Sequence, residues 1–292
     1  MNEYLIGDTI LRYQGEFPLA PDEFTDRFLL PGPGIEVKDT ICYESAFFDL
    51  ERFASFPRLA RNGMYELYDL VQDRALIYHW ATCRFGYGFL CSALQSGSTV
   101  HCWFSPNMKK VQPPLAAVRF FSTAGLHSKF LQLEAPILHA SYIDYKGRAI
   151  LFTAPSQTGK STQANLWHAY TGAEIINGDR VLLRRRGTEW HAFGYPCCGS
   201  SNICINRTLP LAVIVVLAQG PENTVEKMRP AEQVRALFSA TERYLWDTAE
   251  TDLALSLAQQ LICQIPVVRL VCRPDQDAVH TLQKFLKSEE IL

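Results

Sequence analysis

The chain has 292 residues, 48% hydrophobic and 20% charged, a globular balance that excludes intrinsic disorder and allows a sizeable core. At roughly 100–200 residues per domain, this length means one large domain or two ordinary ones. The net charge of −2, from 28 basic and 30 acidic residues, gives no general electrostatic case for nucleic acid or an anionic membrane as partner.

The N-terminal stretch MNEYLIGDTILRYQGEF mixes charges into its first residues and lacks a basic start followed by an apolar run. It does not read as a secretory leader, and the expected compartment is the cytoplasm. The first hundred residues carry short aromatic and β-branched stretches with Gly breaks, such as ALIYHWATCRFGYGFLC (75–91), which predict strands. The segment 48–63 predicts a helix stopped by Asn62-Gly63. Three prolines in SPNMKKVQPPLAAV (105–118) mark the best linker, placing a strand-rich α+β domain at 1–115 and a second domain at 116–292.

The second domain opens with a predicted helix over 116–133. Two strands follow over 137–154, joined at Tyr145-Lys146-Gly147, and then a helix over 159–172. AEIIN, RVLLRRR and EWHAFG predict short strands. LAVIVVLA (211–218) is apolar throughout and predicts a central buried strand. The run Leu209–Ala218 is ten residues long, too short for a bilayer, which takes about 20. Helices are expected over 229–240 and 247–265, a strand over 267–271, and a last helix over 274–288 with Pro274 in its first turn. Strands alternating with helices define an α/β class. Nine cysteines, an odd number without any C-x-x-C, argue against a disulfide framework. Cys197, Cys198 and Cys204 with His191 match no zinc spacing and are expected as small buried hydrophobes.

One motif carries chemistry. After the predicted strand Ala149–Phe152, the chain runs Ala154-Pro155-Ser156-Gln157-Thr158-Gly159-Lys160-Ser161-Thr162. This is the G-x-x-x-x-G-K-[S/T] pattern with Ala154 in place of the first Gly. A triphosphate needs several backbone N–H groups converging on it, and a loop entering a helix N-terminus supplies them. Residues 154 and 156–162 therefore form the candidate nucleotide cradle. Lys160 reaches the β- and γ-phosphates, and Ser161 places its hydroxyl on Mg²⁺. Asp179 lies nineteen residues after Lys160, room for one helix and one neighbouring strand, and is the candidate metal carboxylate. Asn177-Gly178-Asp179 also reads as a simple turn. Arg180 follows it and has a claim on a transferring phosphate. Arg184-Arg185-Arg186 alternates across a strand and reads as a solvated strand end. Arg269 and Arg273 flank Val271 and have access from the C-terminal side.

At these residues the second half resembles the HPr kinase/phosphorylase family, a P-loop branch related to phosphoenolpyruvate carboxykinase. That family has a His about fifteen residues before its phosphate loop, and His139 stands fifteen before Ala154. It follows the loop with a strand ending in paired Asp residues, and IINGDRV occupies that place. The likeness covers roughly 137–218. It implies a mixed-sheet P-loop kinase domain using ATP and Mg²⁺, with Asp179, assisted by His139, deprotonating an acceptor hydroxyl. It also implies that Lys160 and Arg180 stabilise the transferring group. The implied acceptor is a serine of a peptide or small protein, with a small-molecule alcohol as the alternative. A homo-oligomer is implied as well, since that family forms oligomers.

The departures are specific. Gln157 replaces a Gly, Gly178 replaces the first Asp, and residues 194–206 hold no carboxylate where the family has a metal-binding Glu. These losses keep open a second reading, a nucleotide-binding regulator without turnover. A decarboxylating carboxykinase ranks below both.

Overall fold

The computed structural model describes residues 2–32, 34–47, 55–61, 65–70, 74–80, 88–93, 97–110, 115–155 and 157–292. The chain forms two compact units, residues 1–129 and 130–292.

The first unit carries strands β1 (Asn2–Ile6), β2 (Thr9–Gly15), β3 (Asp39–Phe47), β4 (Arg58–Arg61), β5 (Tyr65–Asp69), β6 (Arg74–Trp80), β7 (Gly88–Ala93) and β8 (Thr99–Phe104). Its helices are α1 (Glu23–Asp26) and α2 (Ala117–Thr123), with α3 (Leu126–Gln132) at the division. The sheet order is β1-β2-β3-β8-β7-β6-β5-β4, parallel at β2/β3 and β3/β8 and antiparallel elsewhere. Phe120 and Phe121 of α2 pack edge-on against Tyr4, Tyr13 and Tyr43. This is why the units divide at residue 129 although the proline-rich segment lies near 115. Asp22 caps α1 and also accepts from Val118 N at 3.0 Å, which fixes the start of α2. The helix expected over 48–63 is corrected at 58–61, where β4 pairs with β5; residues 48–54 and 62–63 lie outside the described residues. The expected helix over 116–133 is two helices, broken at Ala124-Gly125.

The second unit contains β9 (Ile137–Tyr145), β10 (Arg148–Thr153), α4 (Lys160–Thr171), β11 (Glu174–Asn177), β12 (Arg180–Arg186), β13 (Glu189–Phe193), β14 (Thr208–Gln219), β15 (Thr224–Lys227), α5 (Pro230–Ala240), α6 (Thr248–Ile262), β16 (Val267–Cys272) and α7 (Gln276–Ser288). The β9–β10 hairpin closes on Lys146-Gly147, both at positive φ, the backbone that a two-residue turn between twisted strands requires. Two long strands change partners along their length. β9 pairs with β12 through Ile137–His139, then with β10 and β11 further on. β14 pairs with β13 through Thr208–Pro210, then runs parallel to β10 and β16. The sheet is therefore mixed, and β10, β14 and β16 form its parallel centre.

Alternation along these strands feeds two cores. Leu151, Leu211 and Ile214 face a cluster with α5 and α6, among them Leu237, Leu257 and Leu261. Ile150, Phe152, Val213 and Val215 face Trp167 of α4 and Val279 and Leu282 of α7. Both faces are covered, so the central strand reads as a continuous apolar run. The last helix begins after Asp275, which accepts from Ala278 N at 3.1 Å; Pro274 precedes this cap rather than lying in the first turn. Strand β15, in a charged stretch, was not among the expected elements. No helix among the described residues is long and apolar enough to cross a membrane.

Candidate functional site

The loop from Ala154 to Gly159 leaves the C-terminal end of β10 and enters α4. Gly159 is the N-terminal cap of α4 at φ 115°, a backbone that a side chain rarely adopts. Lys160 is buried, and its Nζ donates to the carbonyl of Ala154 at 3.2 Å, folding back across the loop. Burial holds its ammonium pKa below the ordinary lysine value, and the Asp179 charge opposes that shift. Ser161 and Thr162 stand exposed on the first turn of α4, with Gln157 exposed and Thr158 half-buried before it. Ser156 lies outside the described residues.

The two departures in the loop behave differently. Ala154 is not among the residues at positive φ, so the motif's first Gly is dispensable here. Gln157 sits at φ 65°, in the left-handed region where a side chain costs roughly 1–2 kcal/mol. Gln157→Gly is expected to raise stability by up to about 1 kcal/mol, after the entropy that glycine loses on folding is subtracted. Chemical denaturation of the pair measures this; a less stable glycine variant would contradict a strained loop.

The turn between β11 and β12 delivers the acidic residue. Asn177 is fully buried, and its Oδ1 accepts from the backbone N–H of Asp179 and of Arg180, both at 2.9 Å. Its Nδ2 donates to the carbonyls of Tyr195 at 2.6 Å and Cys197 at 3.1 Å. The turn is laced to β9, where Ala140 N donates to Asp179 O at 3.0 Å and Ser141 Oγ to Gly178 O at 2.9 Å. Residues 177–179 thus form both a side-chain-stabilised turn and the platform for a carboxylate. A Cβ at position 178 would overlap Oγ and Cβ of Ser201, so this fold has no room for an acid there. The loop carrying Ser201 holds itself together, with Ser201 Oγ donating to Cys198 O at 2.6 Å. Gly199 sits tight against Asp179, where an added Cβ would lie 2.8 Å from its Cγ.

His139 Nε2 donates to Asp179 Oδ1 at 2.9 Å, and Arg180 contacts Oδ2 of the same carboxylate. Arg180 also pairs with Glu242, which sequence reasoning missed; it lies 62 positions away and enters through the backbone bond from Glu242 N to Ile137 O. The hydrogen bond from His139 holds the Asp179 carboxyl below the ordinary value; burial opposes this, and Arg180 and Lys160 add to it. Burial works against the charge on Arg180, but Glu242 and Asp179 outweigh it and raise its pKa. Thr153 Oγ1 donates to the His139 carbonyl at 3.0 Å, locking the end of β10 to the base of the histidine. With Nε2 committed as donor, Nδ1 of a neutral His139 is its free acceptor.

Two clefts flank the loop. One, of about 560 Å³, is lined by His139, Thr153, Ala154 and Pro155 together with Glu232 and Arg235 of α5 and Arg269 of β16. The other, of about 420 Å³, is lined by Gln157, Thr158, Gly159, Thr162 and Gln163, with Cys272 at the end of β16 and Arg273 just after it. Arg269 and Arg273 therefore reach opposite sides of the loop. Glu232 and Arg235 were not legible as site residues, although the stripe Glu232, Arg235, Ser239 repeats at helical spacing. Of the Arg184–Arg186 run, Arg184 is buried, while Arg185 and Arg186 are exposed at the strand end.

Among the described residues no group of three or more His, Cys, Asp or Glu side chains converges as a metal site, and this includes Cys197, Cys198, Cys204 and His191. One carboxylate and one hydroxyl remain as candidate donors, Asp179 and Ser161. That set suits Mg²⁺ arriving with phosphate oxygens, because Mg²⁺ is commonly held by one or two carboxylates plus a substrate phosphate.

No protein-family model matches the chain, and no curated protein matches it. Among solved structures, the HPr(Ser) kinase/phosphatase from Coxiella burnetii is similar over 53% of this chain and 94% of its own, at 9% sequence identity and a TM-score of 0.31.

Proposed function

We propose that the second unit is an ATP-dependent phosphotransferase acting on a hydroxyl, of the HPr kinase/phosphoenolpyruvate carboxykinase type, with a serine of a peptide or small protein as the favoured acceptor. The observation that carries this reading is the His139–Asp179 hydrogen bond of 2.9 Å beside a loop whose lysine is already folded over it. Residues 154–162 receive the phosphates, with Lys160 and the α4 N-terminus supplying positive potential. Ser161 and Asp179 would hold Mg²⁺, which supplies charge neutralisation on the phosphate oxygens. His139 lines the 560 Å³ cleft, so its free Nδ1 is the group that meets the acceptor hydroxyl there. Asp179 fixes the ring's orientation and tautomer, and the pair removes the hydroxyl proton together. Arg180 stabilises charge on the transferring group.

A non-catalytic nucleotide-binding regulator is the second reading. It is favoured by Asp179, the candidate metal carboxylate, both of whose oxygens already have partners. A small-molecule alcohol is the alternative acceptor.

Calorimetry with Mg²⁺–ATP, followed by transfer of labelled phosphate to candidate acceptors, tests the proposal. Lys160→Ala is expected to weaken ATP binding by roughly 10–100-fold, the scale of a charge-assisted hydrogen bond. Binding without transfer to any hydroxyl favours the regulator. Wild-type protein that binds no nucleotide removes both readings.

A further inference from the structure

We propose that the 560 Å³ cleft selects its acceptor by an acidic group, received by Arg235. This rests on the phosphotransfer reading and names the substrate class of the same site. Arg235 lies on the face of α5 that lines the cleft, together with His139 and Ala154. Its helix is firmly placed: Gln233 Nε2 donates to the carbonyls of Met228 and Val267, both at 3.1 Å, tying α5 to β16.

The charge balance singles Arg235 out. Glu232 accepts from the Arg229 side chain at 3.1 Å and from its backbone at 3.0 Å. Arg269 is shared between Glu226 at 3.4 Å and Glu232 at 4.0 Å. These four charges satisfy one another. Arg235 has no ion-pair partner among the described residues, and it lies beside an apolar floor of Val216, Met228 and Ala236. Arg235 is exposed, so its charge is free to meet a ligand entering the cleft. A ligand that places its hydroxyl at His139 and extends along the cleft therefore meets one uncompensated cation. The chemistry that fits is a hydroxyl and a carboxylate carried by one molecule. A free hydroxy acid provides it, and so does a serine flanked by Asp or Glu in a peptide.

The test uses the full chain loaded with a non-hydrolysable ATP analogue and Mg²⁺. Four probes are titrated by calorimetry: glycerate, glycerol, and two blocked serine peptides that differ only in Asp against Asn beside the serine. One acidic probe is expected to bind more tightly than its neutral twin, and the one that does so identifies free or peptide-borne carboxylate. Arg235→Ala is expected to weaken that probe by roughly 10–100-fold, with Arg235→Lys recovering part and the neutral probe unmoved. Arg235 is exposed, and a thermal melt of each variant verifies folding.

Equal binding of acidic and neutral probes, or a preference that survives Arg235→Ala, overturns the proposal. So does a fall in ATP affinity relative to ADP in Arg235→Ala, which would assign the arginine to the γ-phosphate. An acidic probe that binds through Arg235 yet accepts no labelled phosphate from ATP would keep the acid site and defeat the kinase reading alone.

Discussion

Asp179→Asn is expected to lower phosphoryl transfer by roughly 10²–10⁴-fold, the range for loss of a positioned acid–base function. An amide can donate as well as accept, so His139 loses the partner that commits its Nε2 as donor, and Nδ1 no longer presents a lone pair reliably. The measurement is single-turnover transfer from labelled ATP to the best acceptor, and an unchanged rate would remove Asp179 from the chemistry. The same residue has a stability signature. Its folded carboxyl titrates below the ordinary value of 3.8, held there first by the His139 hydrogen bond. A lowered folded pKa contributes stability above the unfolded value and loses it as pH falls through the folded one. Urea midpoints followed downward from about pH 5 should therefore fall more steeply for wild type than for Asp179→Asn below about pH 4.

Trp167→Ala is expected to cost about 3–5 kcal/mol of unfolding free energy, as for other buried aromatic truncations. Trp167 is fully buried on the inner face of α4, with its ring centroid 5.0 Å from Tyr145 and 6.1 Å from Phe152. It holds the helix whose first turn carries Lys160, so nucleotide affinity should fall with stability. Its Nε1 is buried without a hydrogen-bond partner. Trp167→Phe removes that orphan donor while keeping an aromatic ring, and its loss should stay under about 2 kcal/mol. Denaturant unfolding of the three proteins decides the matter. A Phe variant as damaged as the Ala variant would show that neither a ring nor most of the volume suffices, and that the whole indole anchors the helix.

How much of this was legible follows from sequence distance. The strand, loop and helix over 148–171 carry a local signature, and Ala154 and Gln157 could be marked as departures from it. Only the backbone, however, distinguishes a harmless alanine from a glutamine at φ 65°. Asp179 was placed by spacing, and its turn obeyed the Asn-Gly signal at the same time. Glu242, Glu232 and Arg235 were not legible, because α5 reaches the site only after β14 and β16 pair in parallel, and no local pattern encodes that step. The segment 58–61 misled because its apolar residues suit a helix as well as an edge strand. There Leu59 is 48% exposed, and pairing to β5 rather than burial of a helical face decides the outcome.

The partner exchange along β9 has a consequence for how the molecule assembles and diversifies. His139 sits where β9 passes from β12 to β10, so the histidine, the loop and Asp179 all lie within one short stretch, 139–180. The contact of His139 with Asp179 closes 40 residues of chain. The wall bearing Arg235 joins through pairings such as Val216 with Arg269, 53 residues apart, in a later segment of the chain. The proposed transfer residues and the proposed recipient surface are therefore encoded in separate segments. If the phosphotransfer proposal holds, substitution is expected to retune the recipient without disturbing the transfer, and a variant library confined to 228–240 is the natural place to look for altered specificity.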